Sequence, residues 1–276
     1  MTLRVLVVTG GHSVDHPAMW KMFGDLSAER DWAWAHAVQP SAQSWFDPAR
    51  SGAWDVIVCH DIVGLRLRRG EPPAPIVPSP AIAEALVELL DAGQPIVVTH
   101  HSLASWPSWD GWAEAIGGRF NYAPGPWRGV DWPSSGTRID TYTARVVADH
   151  PVCAGVADFE LTDELYCCPI FEDSVMPLVR ADADFDGRRF IRTYEHVIVG
   201  EADAPDCAAH PAASNLIAWA KVAGRSPLVY LQPGDTAATF GHATYRRLLA
   251  NAVDWVASAG ARAWARSHPT PIELPS

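Results

Sequence analysis

Short runs of apolar residues recur along the chain, separated by stretches with a helical pattern. Residues 3–9, 54–59, 95–99 and 227–231 are apolar almost throughout, and residues 32–38 are a weaker example. Strands buried on both faces of a parallel sheet have such continuous runs, whereas half-exposed strands alternate. The runs therefore predict a parallel sheet that is covered on both faces.

Helical stretches lie between these runs, at residues 18–28, 80–92, 108–116 and 242–258. The second begins with Ser79 and Pro80 and stops before Gly93, which gives a cap residue, a first-turn proline and a terminating glycine. Alternation of strand and helix is typical of a doubly wound α/β domain with right-handed crossovers.

The middle of the chain has a different pattern. Residues 137–147 partly alternate between apolar and polar, which indicates an antiparallel or edge strand. Residues 176–180, 196–200 and 215–222 are further strand candidates. We find no internal repeat, so we expect one domain over residues 1–276, with a loosely attached tail from about residue 268.

Composition limits the classes of partner. The 276 residues are 48% apolar and carry 21 basic against 32 acidic side chains, a net charge of −11. A sizeable core can form, and such a charge repels phosphate backbones, so we expect no nucleic-acid partner. The apolar content and 13 tryptophans leave a homodimer as an expectation.

The chain has no basic start with a long apolar stretch, and no run approaches 18 apolar residues. A secretory signal needs the first feature and a membrane-spanning helix the second. We therefore expect a cytoplasmic protein without a membrane partner. Its five cysteines have no metal-finger spacing, which favours reduced, buried thiols.

Histidines follow three of the predicted strands. In an open α/β sheet, ligands bind outside the carboxyl ends of the strands. Three separate strand ends with histidine predict a shared functional crevice. The residues at these ends are Gly11, His12 and His16 after the first strand, His60 after the second, and His100 and His101 after the third.

Two further features suggest chemistry. Asp163 and Glu164 stand beside Tyr166, and a carboxylate there can act as a general acid or base or ligate a metal. An exposed acid pair is the open alternative. Trp106 and Trp109 lie in a loop-like segment, where they either line a pocket or pack the loop onto the body.

Known nucleotide and esterase motifs are missing from the sequence. Gly10 and Gly11 do not form a G-x-G-x-x-G or G-x-x-x-x-G-K-[ST] pattern, and there is no G-x-S-x-G elbow. We therefore predict no bound dinucleotide or nucleoside triphosphate.

Several segments together resemble the ThuA-like (trehalose utilisation) family, in order along nearly the whole chain. The Thr-Asp-Glu-Leu-Tyr block makes the resemblance fairly specific. The resemblance implies a flavodoxin-like α/β fold with a mainly parallel sheet and helices on both faces, related to class I glutamine amidotransferases. The segments that carry it are VVTGGH at 7–12, GQPIVVTHH at 93–101, WDGWAEAIGGRF at 109–120, FELTDELY at 159–166, VYLQPG at 229–234 and YRRLLANAVDW at 245–255.

In those amidotransferases a nucleophilic cysteine sits at a strained turn after a central strand. Here His100 stands at that position, which argues against amidotransferase activity because a thiolate mechanism needs the cysteine. The resemblance implies a role in bacterial sugar catabolism, beside oxidoreductases that make keto-sugars.

The chain departs from the family pattern at two places. Asn121 and Tyr122 follow Phe120, where a histidine is frequent, and Asp235 follows Gly234, where the family often has Gly-His. If those histidines bind a metal, two nitrogen ligands are lost here, although Asp235 can supply oxygen. We predict no certain cofactor and leave a divalent metal, Zn²⁺, as an alternative.

The resulting hypothesis is an enzyme that hydrolyses or isomerises a sugar or keto-sugar by proton transfer. A non-catalytic sugar-binding protein and a zinc-dependent hydrolase using the same crevice are the alternatives. The candidate catalytic residues are His12, His100, His101, Glu164 and Asp235. The candidate substrate-binding residues are Gly11, His16, His60, Trp106, Trp109, Asp163, Tyr166 and His242.

Overall fold

A computed structural model describes residues 2–201, 203–211 and 213–275. Within these residues, ten strands form one sheet in the order β10-β9-β11-β13-β14-β6-β3-β1-β2, with β12 paired to β9. Four short strands form two separate hairpins. The strands are β1 (Leu3–Gly10), β2 (Trp32–Val38), β3 (Val56–Asp61), β4 (Leu65–Arg66), β5 (Ala74–Pro75), β6 (Ile96–Thr99), β7 (Gly125–Trp127), β8 (Val130–Trp132), β9 (Gly136–Val146), β10 (Phe159–Cys167), β11 (Met176–Asp182), β12 (Ile191–Arg192), β13 (Leu216–Ala223) and β14 (Ser226–Leu231).

One half of the sheet is parallel. The parallel strands are β2, β1, β3, β6 and β14. Every residue of β3, β6 and β14 is buried. Burial on both faces is the reason for their continuous apolar sequences. The flavodoxin-like α/β fold predicted from the sequence is confirmed.

The other half of the sheet is an antiparallel extension. Strand β13 returns beside β14, and β11, β9, β10 and β12 continue the extension. Strand β9 coincides closely with the alternating segment predicted at residues 137–147. The candidate strand at residues 196–200 is instead part of a π-helical turn, Tyr194–Val199.

Helices cover both faces of the sheet. Alternate residues of β1 point to opposite sides, so Val5 and Val7 join the core under α1 and α6 while Leu6 and Val8 join the core under α3 and α4. The helices are α1 (His16–Arg30), α2 (Pro48–Ser51), α3 (Pro80–Asp91), α4 (Asp110–Ile116), α5 (Ala237–Gly241), α6 (Ala243–Ala257) and α7 (Ala259–Ser267).

The end of the chain packs on the body. Thr270 and Gly224 exchange two backbone hydrogen bonds of 2.9 Å, and the Trp109 indole donates to the Glu273 carbonyl at 2.6 Å. These contacts involve the tail that we expected to be loosely attached.

Two other expectations concern the cysteines and membranes. All five cysteines are buried, and none of them forms a disulfide bond. Across the described ranges, none of the helices combines the length and apolar character needed to cross a bilayer.

A candidate active site where the two halves of the sheet meet

His100 occupies a strained turn directly after β6. It begins the 3-10 turn His100–Ala104, and its backbone has a φ of 52°. A non-glycine residue in this left-handed region costs about 1–3 kcal/mol, which the surrounding contacts must offset. The side chain is fully buried. His100 therefore has the geometry that the resemblance implies for this position.

Hydrogen bonds fix the His100 ring. Nδ1 donates to the backbone carbonyl of Gln232 at 2.9 Å, and the Tyr166 hydroxyl lies 2.9 Å from the same nitrogen. The Tyr230 hydroxyl donates to the His100 carbonyl at 2.8 Å. Since Nδ1 is used by Gln232, Nε2 is the nitrogen that remains for chemistry.

Two carboxylates converge on that nitrogen. Nε2 of His100 lies 3.6 Å from Oε2 of Glu164 and 3.6 Å from Oδ1 of Asp235. Strand β10 supplies Glu164, and the loop after β14 supplies Asp235. The three side chains offer ligand atoms that all lie within 4.8 Å of one another. The sequence-predicted residues His100, Glu164 and Asp235 thus form one cluster, which we call the His-Glu-Asp cluster.

The cluster separates the proton affinities of its members. Burial disfavours the charged form of His100, but Asp235, Glu164 and Asp163 outweigh it and raise the pKa of His100. Burial also raises the pKa of Glu164, while the His100 side chain lowers that of Asp235. The cluster thus places a histidine with a raised pKa beside two carboxyl groups whose pKa values shift in opposite directions.

Asp163 has a different role from its neighbour. It is fully buried, and its carboxylate accepts from the backbone N–H groups of Gly234 at 3.0 Å and Asp235 at 3.3 Å. It also accepts from the hydroxyl of Thr239. Successive strand residues point to opposite faces, so Asp163 lies away from the cavity that Glu164 borders. Asp163 therefore positions the Asp235 loop, and it is not among the residues that line the cavity described next.

A cavity of about 280 Å³ opens beside the cluster. Ligand pockets typically combine apolar walls with a few polar groups, as this cavity does. Five of the predicted site residues line it: Gly11, His12, His101, Glu164 and Tyr166. The remaining lining residues are Ser13, Leu67, Ala104, Phe120, Tyr122, Thr137, Thr193 and Ile198.

Gly11 is required at the cavity edge. A Cβ at this position would lie 1.9 Å from the Ile62 carbonyl oxygen, and the backbone has a φ of 77°. Gly234 is similarly enclosed, since its Cβ would lie 3.3 Å from both His60 and His100. These glycines allow the loops after β1 and β14 to approach the histidines closely.

His60 and His101 surround His100 as neutral rings. Thr99 donates its hydroxyl to the Cys59 carbonyl, so it accepts from Nδ1 of His60 at 2.7 Å. Burial places the pKa of both His60 and His101 well below the usual histidine value. Within the described residues neither ring nitrogen of His101 has a partner, although this side chain lines the cavity. Both nitrogens are themselves buried, so His101 borders the cavity with its other atoms.

Two predicted histidines lie elsewhere. His16 packs against Trp20 and His36, with ring centroids 5.5 and 5.4 Å away. His242 caps the start of α6 and stacks on Phe159. Neither lines the cavity, although His16 lies close to the end of β1, with its Nε2 3.4 Å from the Thr9 hydroxyl.

The two tryptophans of the predicted pocket wall also lie outside the cavity lining. Trp109 is fully buried and bonds to the Glu273 carbonyl, and Trp106 is 5% exposed beside Gly64. Trp109 therefore packs the end of the chain onto the body, whereas Trp106 lines a separate pocket together with Gly64 and Ile82. The aromatic wall is formed instead by Phe120, Tyr122 and Tyr166.

The sequence interpretation missed several lining residues. Thr137 pairs with Tyr166 across β9 and β10, so the two side chains lie on one face, and its hydroxyl accepts from Thr193 at 3.0 Å. Strand alternation around residue 137 is a signal that could have indicated Thr137. Leu67, Thr193 and Ile198 come from loops whose path the sequence does not specify.

The His-Glu-Asp cluster also has the donor chemistry of a divalent metal site. One imidazole nitrogen and two carboxylate oxygens suit Zn²⁺ or Mn²⁺. A histidine that binds a metal through one ring nitrogen usually donates its other N–H to a carboxylate, a backbone carbonyl or water. Nδ1 of His100 makes such a bond to the Gln232 carbonyl. His12 and His101, which are candidate catalytic residues from the sequence, do not belong to the group of possible ligands that converges within the described residues.

Solved structures and family profiles agree on the relatives of this chain. A protein described as ThuA-like from Parabacteroides merdae has 12% identity and a TM-score of 0.64, covering 94% of this chain and 91% of its own. Another, from Bacteroides uniformis, has 16% identity and a TM-score of 0.58, covering 92% and 91%. At such identities the likeness shows the fold alone.

No curated protein matches the chain. A family profile described as ThuA, trehalose utilisation, matches residues 4–256, which is nearly the whole chain. The chain therefore belongs to the ThuA family.

Proposed function

We propose that the protein is an enzyme of carbohydrate catabolism that transfers protons on a sugar or keto-sugar held in the 280 Å³ cavity. The observation that carries the proposal is the convergence of Glu164 and Asp235 on Nε2 of His100 beside that cavity. Two groups with separated proton affinities are the usual basis of acid–base assignments.

Glu164 is the proposed proton donor or acceptor. It lines the cavity, and burial raises its pKa, which makes the carboxyl form accessible nearer neutral pH. His100 is fully buried and does not line the cavity. Its proposed role is to set the charge and orientation of the two carboxylates, with Asp235 keeping the imidazole protonated.

The cavity surface supports a sugar as the ligand class. Phe120, Tyr122 and Tyr166 offer aromatic faces, and Thr137 and Thr193 offer hydroxyls. Sugar rings combine C–H faces with hydroxyl edges, so they suit both kinds of surface. The family profile, described as trehalose utilisation, supports the same class.

A screen of disaccharides and keto-sugars with purified protein tests the proposal. Once turnover is found, Glu164→Gln should lower it about 10²–10⁴-fold. The matched control is Glu160→Gln, an exposed residue on the same strand, which should leave turnover unchanged. A sugar that binds and is recovered unchanged would favour the non-catalytic binding alternative and overturn the enzymatic one.

Metal-assisted hydrolysis is the second candidate, because the three ligand atoms of the His-Glu-Asp cluster lie within 4.8 Å of one another. A bound divalent metal would supply Lewis acidity at this site. Elemental analysis of untagged protein, with thermal melts before and after chelation, tests this. Stoichiometric metal that is lost in Asp235→Asn would support it. Absence of both metal and a chelator effect would leave proton transfer by the side chains.

A further inference from the structure

The 280 Å³ cavity beside the His-Glu-Asp cluster is called the main cavity below. A second pocket of about 130 Å³ lies beside it. Both hairpins that stand outside the large sheet frame it, through Leu65 and Pro75 on one side and Gly125 and Trp127 on the other. By the same measure its volume is about half that of the main cavity.

The two spaces meet at Tyr122. This residue lines both, while its neighbour Phe120 lines only the main cavity and Asn121 lines only the second pocket. The first hairpin is divided in the same way, since Leu67 lines the main cavity and Leu65 the second pocket. The two spaces are therefore neighbours that share Tyr122 as a common lining residue.

Apolar rings dominate the walls of the second pocket. Five prolines contribute: Pro73, Pro75, Pro107, Pro124 and Pro126. They present flat C–H surfaces without hydrogen-bond donors, and these suit the apolar face of a ring.

Polar groups stand at one side of the same pocket. Arg119 lies over the Trp127 ring with its guanidinium carbon 5.0 Å from the centroid, and its charge is offset by Asp110 at 2.9 Å. The backbone N–H of Asn121 donates to the Ser135 hydroxyl, and its carbonyl accepts from the Ser135 N–H. These bonds use only the backbone of Asn121, which leaves its side-chain amide for a ligand. Because the Arg119 guanidinium is already paired with Asp110, the pocket suits a neutral ligand with hydroxyl groups rather than an anion.

We infer that the second pocket binds the second ring of a glycoside whose first ring occupies the main cavity. The inference rests on the proposed function, since it takes the ligand of the main cavity to be a sugar. Tyr122 stands at the junction, where its hydroxyl can donate to the oxygen that joins the rings. Burial raises the pKa of Tyr122, so the hydroxyl keeps its proton at neutral pH.

Gly125→Leu tests the inference by filling the second pocket. A Cβ at Gly125 meets no heavy atom within 4 Å, so the fold should accept the larger side chain. Gly52→Leu is the matched control, because Gly52 has the same open surroundings and does not line either space. Asn121→Ala is a second variant that removes a polar group and keeps the backbone bonds to Ser135.

Calorimetric titration with trehalose and with glucose gives the readout. Trehalose should bind wild-type protein and Gly52→Leu about tenfold more tightly than glucose does. Gly125→Leu should abolish that preference and Asn121→Ala should reduce it, while the glucose affinity stays within about twofold.

Each other outcome has a distinct meaning. Equal affinity for the two sugars in wild type, or an unchanged preference in both variants, would overturn the second-ring assignment alone. Failure of both sugars to bind would overturn the second-ring assignment, and the sugar interpretation of the main cavity would fall only if the keto-sugars of the screen also failed to bind.

Discussion

Strands β1, β3 and β6 of the parallel half bring imidazoles to the site, whereas strand β10 of the antiparallel half brings a carboxylate and a phenol. In the parallel half, the contributing residues lie at or just beyond the strand ends, as His12, His60 and His100 do. In the antiparallel half, Glu164 and Tyr166 lie within the strand. Strand ends therefore locate the histidines, and strand alternation selects the residues of β10 that face the cavity.

Glu164→Gln gives the largest expected effect and tests whether the antiparallel half supplies the reactive group. Turnover should fall about 10²–10⁴-fold, because the amide cannot exchange a proton with the substrate. Steady-state kinetics on the substrate found in the screen give the measurement. If His12→Ala abolishes turnover while Glu164→Gln leaves it intact, the parallel half carries the chemistry instead.

Asp163→Ala tests the separation of the two faces of β10. The change leaves buried donors on Gly234 and Thr239 without an acceptor, at about 1–3 kcal/mol for each unsatisfied group. The free energy of unfolding in urea should therefore fall by about 3–5 kcal/mol. Glu160→Ala, on an exposed position of the same strand, should change it by less than about 0.5 kcal/mol. A cost below about 1 kcal/mol for Asp163→Ala would contradict the positioning role.

Gly11→Ala tests the tight loop on the parallel side. The new Cβ would meet the Ile62 carbonyl, and alanine is disfavoured at a φ of 77°. The free energy of unfolding should fall by about 2–3 kcal/mol. Gly52→Ala has open space and a negative φ, so it should be neutral or stabilise the protein by up to about 1 kcal/mol. Equal results for the two variants would refute the steric argument.

The His100–Asp235 pair lies on the parallel side of the site, after β6 and β14, and predicts a smaller, pH-dependent effect. The raised pKa of His100 contributes stability that is complete below the unfolded histidine value and is lost as pH rises through the folded value. The lowered pKa of Asp235 contributes stability above the unfolded aspartate value. Both contributions are present near about pH 5.5.

Wild type should therefore exceed Asp235→Asn in stability by more at about pH 5.5 than at about pH 9, with a difference of order 1 kcal/mol. Urea unfolding at the two pH values gives the measurement. A stability difference that grows toward high pH would show that the histidine pKa is not raised by this pair.

Apolar runs in the sequence predicted strand positions even where burial along the strand is mixed, as in β2. Residues 32–38 match β2, and the predicted helix at 80–92 matches α3 within one residue. The pattern failed at residues 196–200, where apolar side chains belong to a π-helical turn. A short apolar run does not distinguish strand from helix without knowledge of its neighbours.

Site residues were predictable to the extent that a strand end or a motif marked them. The rule for strand ends predicted His12 and His101, which line the cavity, and His100, which belongs to the cluster beside it. The same rule also selected His16, whose ring packs against Trp20 and His36 instead. Tryptophan in a loop-like segment did not distinguish a pocket wall from core packing, and Trp109 is core. These cases depend on side-chain direction, which residue type does not encode.

The sequence alone determined the α/β class, the family resemblance and the strand ends that carry histidine, because these depend on local periodicity and on motifs. Only the tertiary structure placed Glu164 and Asp235 at 3.6 Å from His100, since they come from segments about 64 and 135 residues away along the chain. It also assigned Asp163 and Glu164 to opposite faces, because β10 presents one side to the cavity and the other to the Asp235 loop. The pKa shifts of His100, Glu164 and Asp235 likewise follow from packing, because burial and neighbouring charge determine their direction.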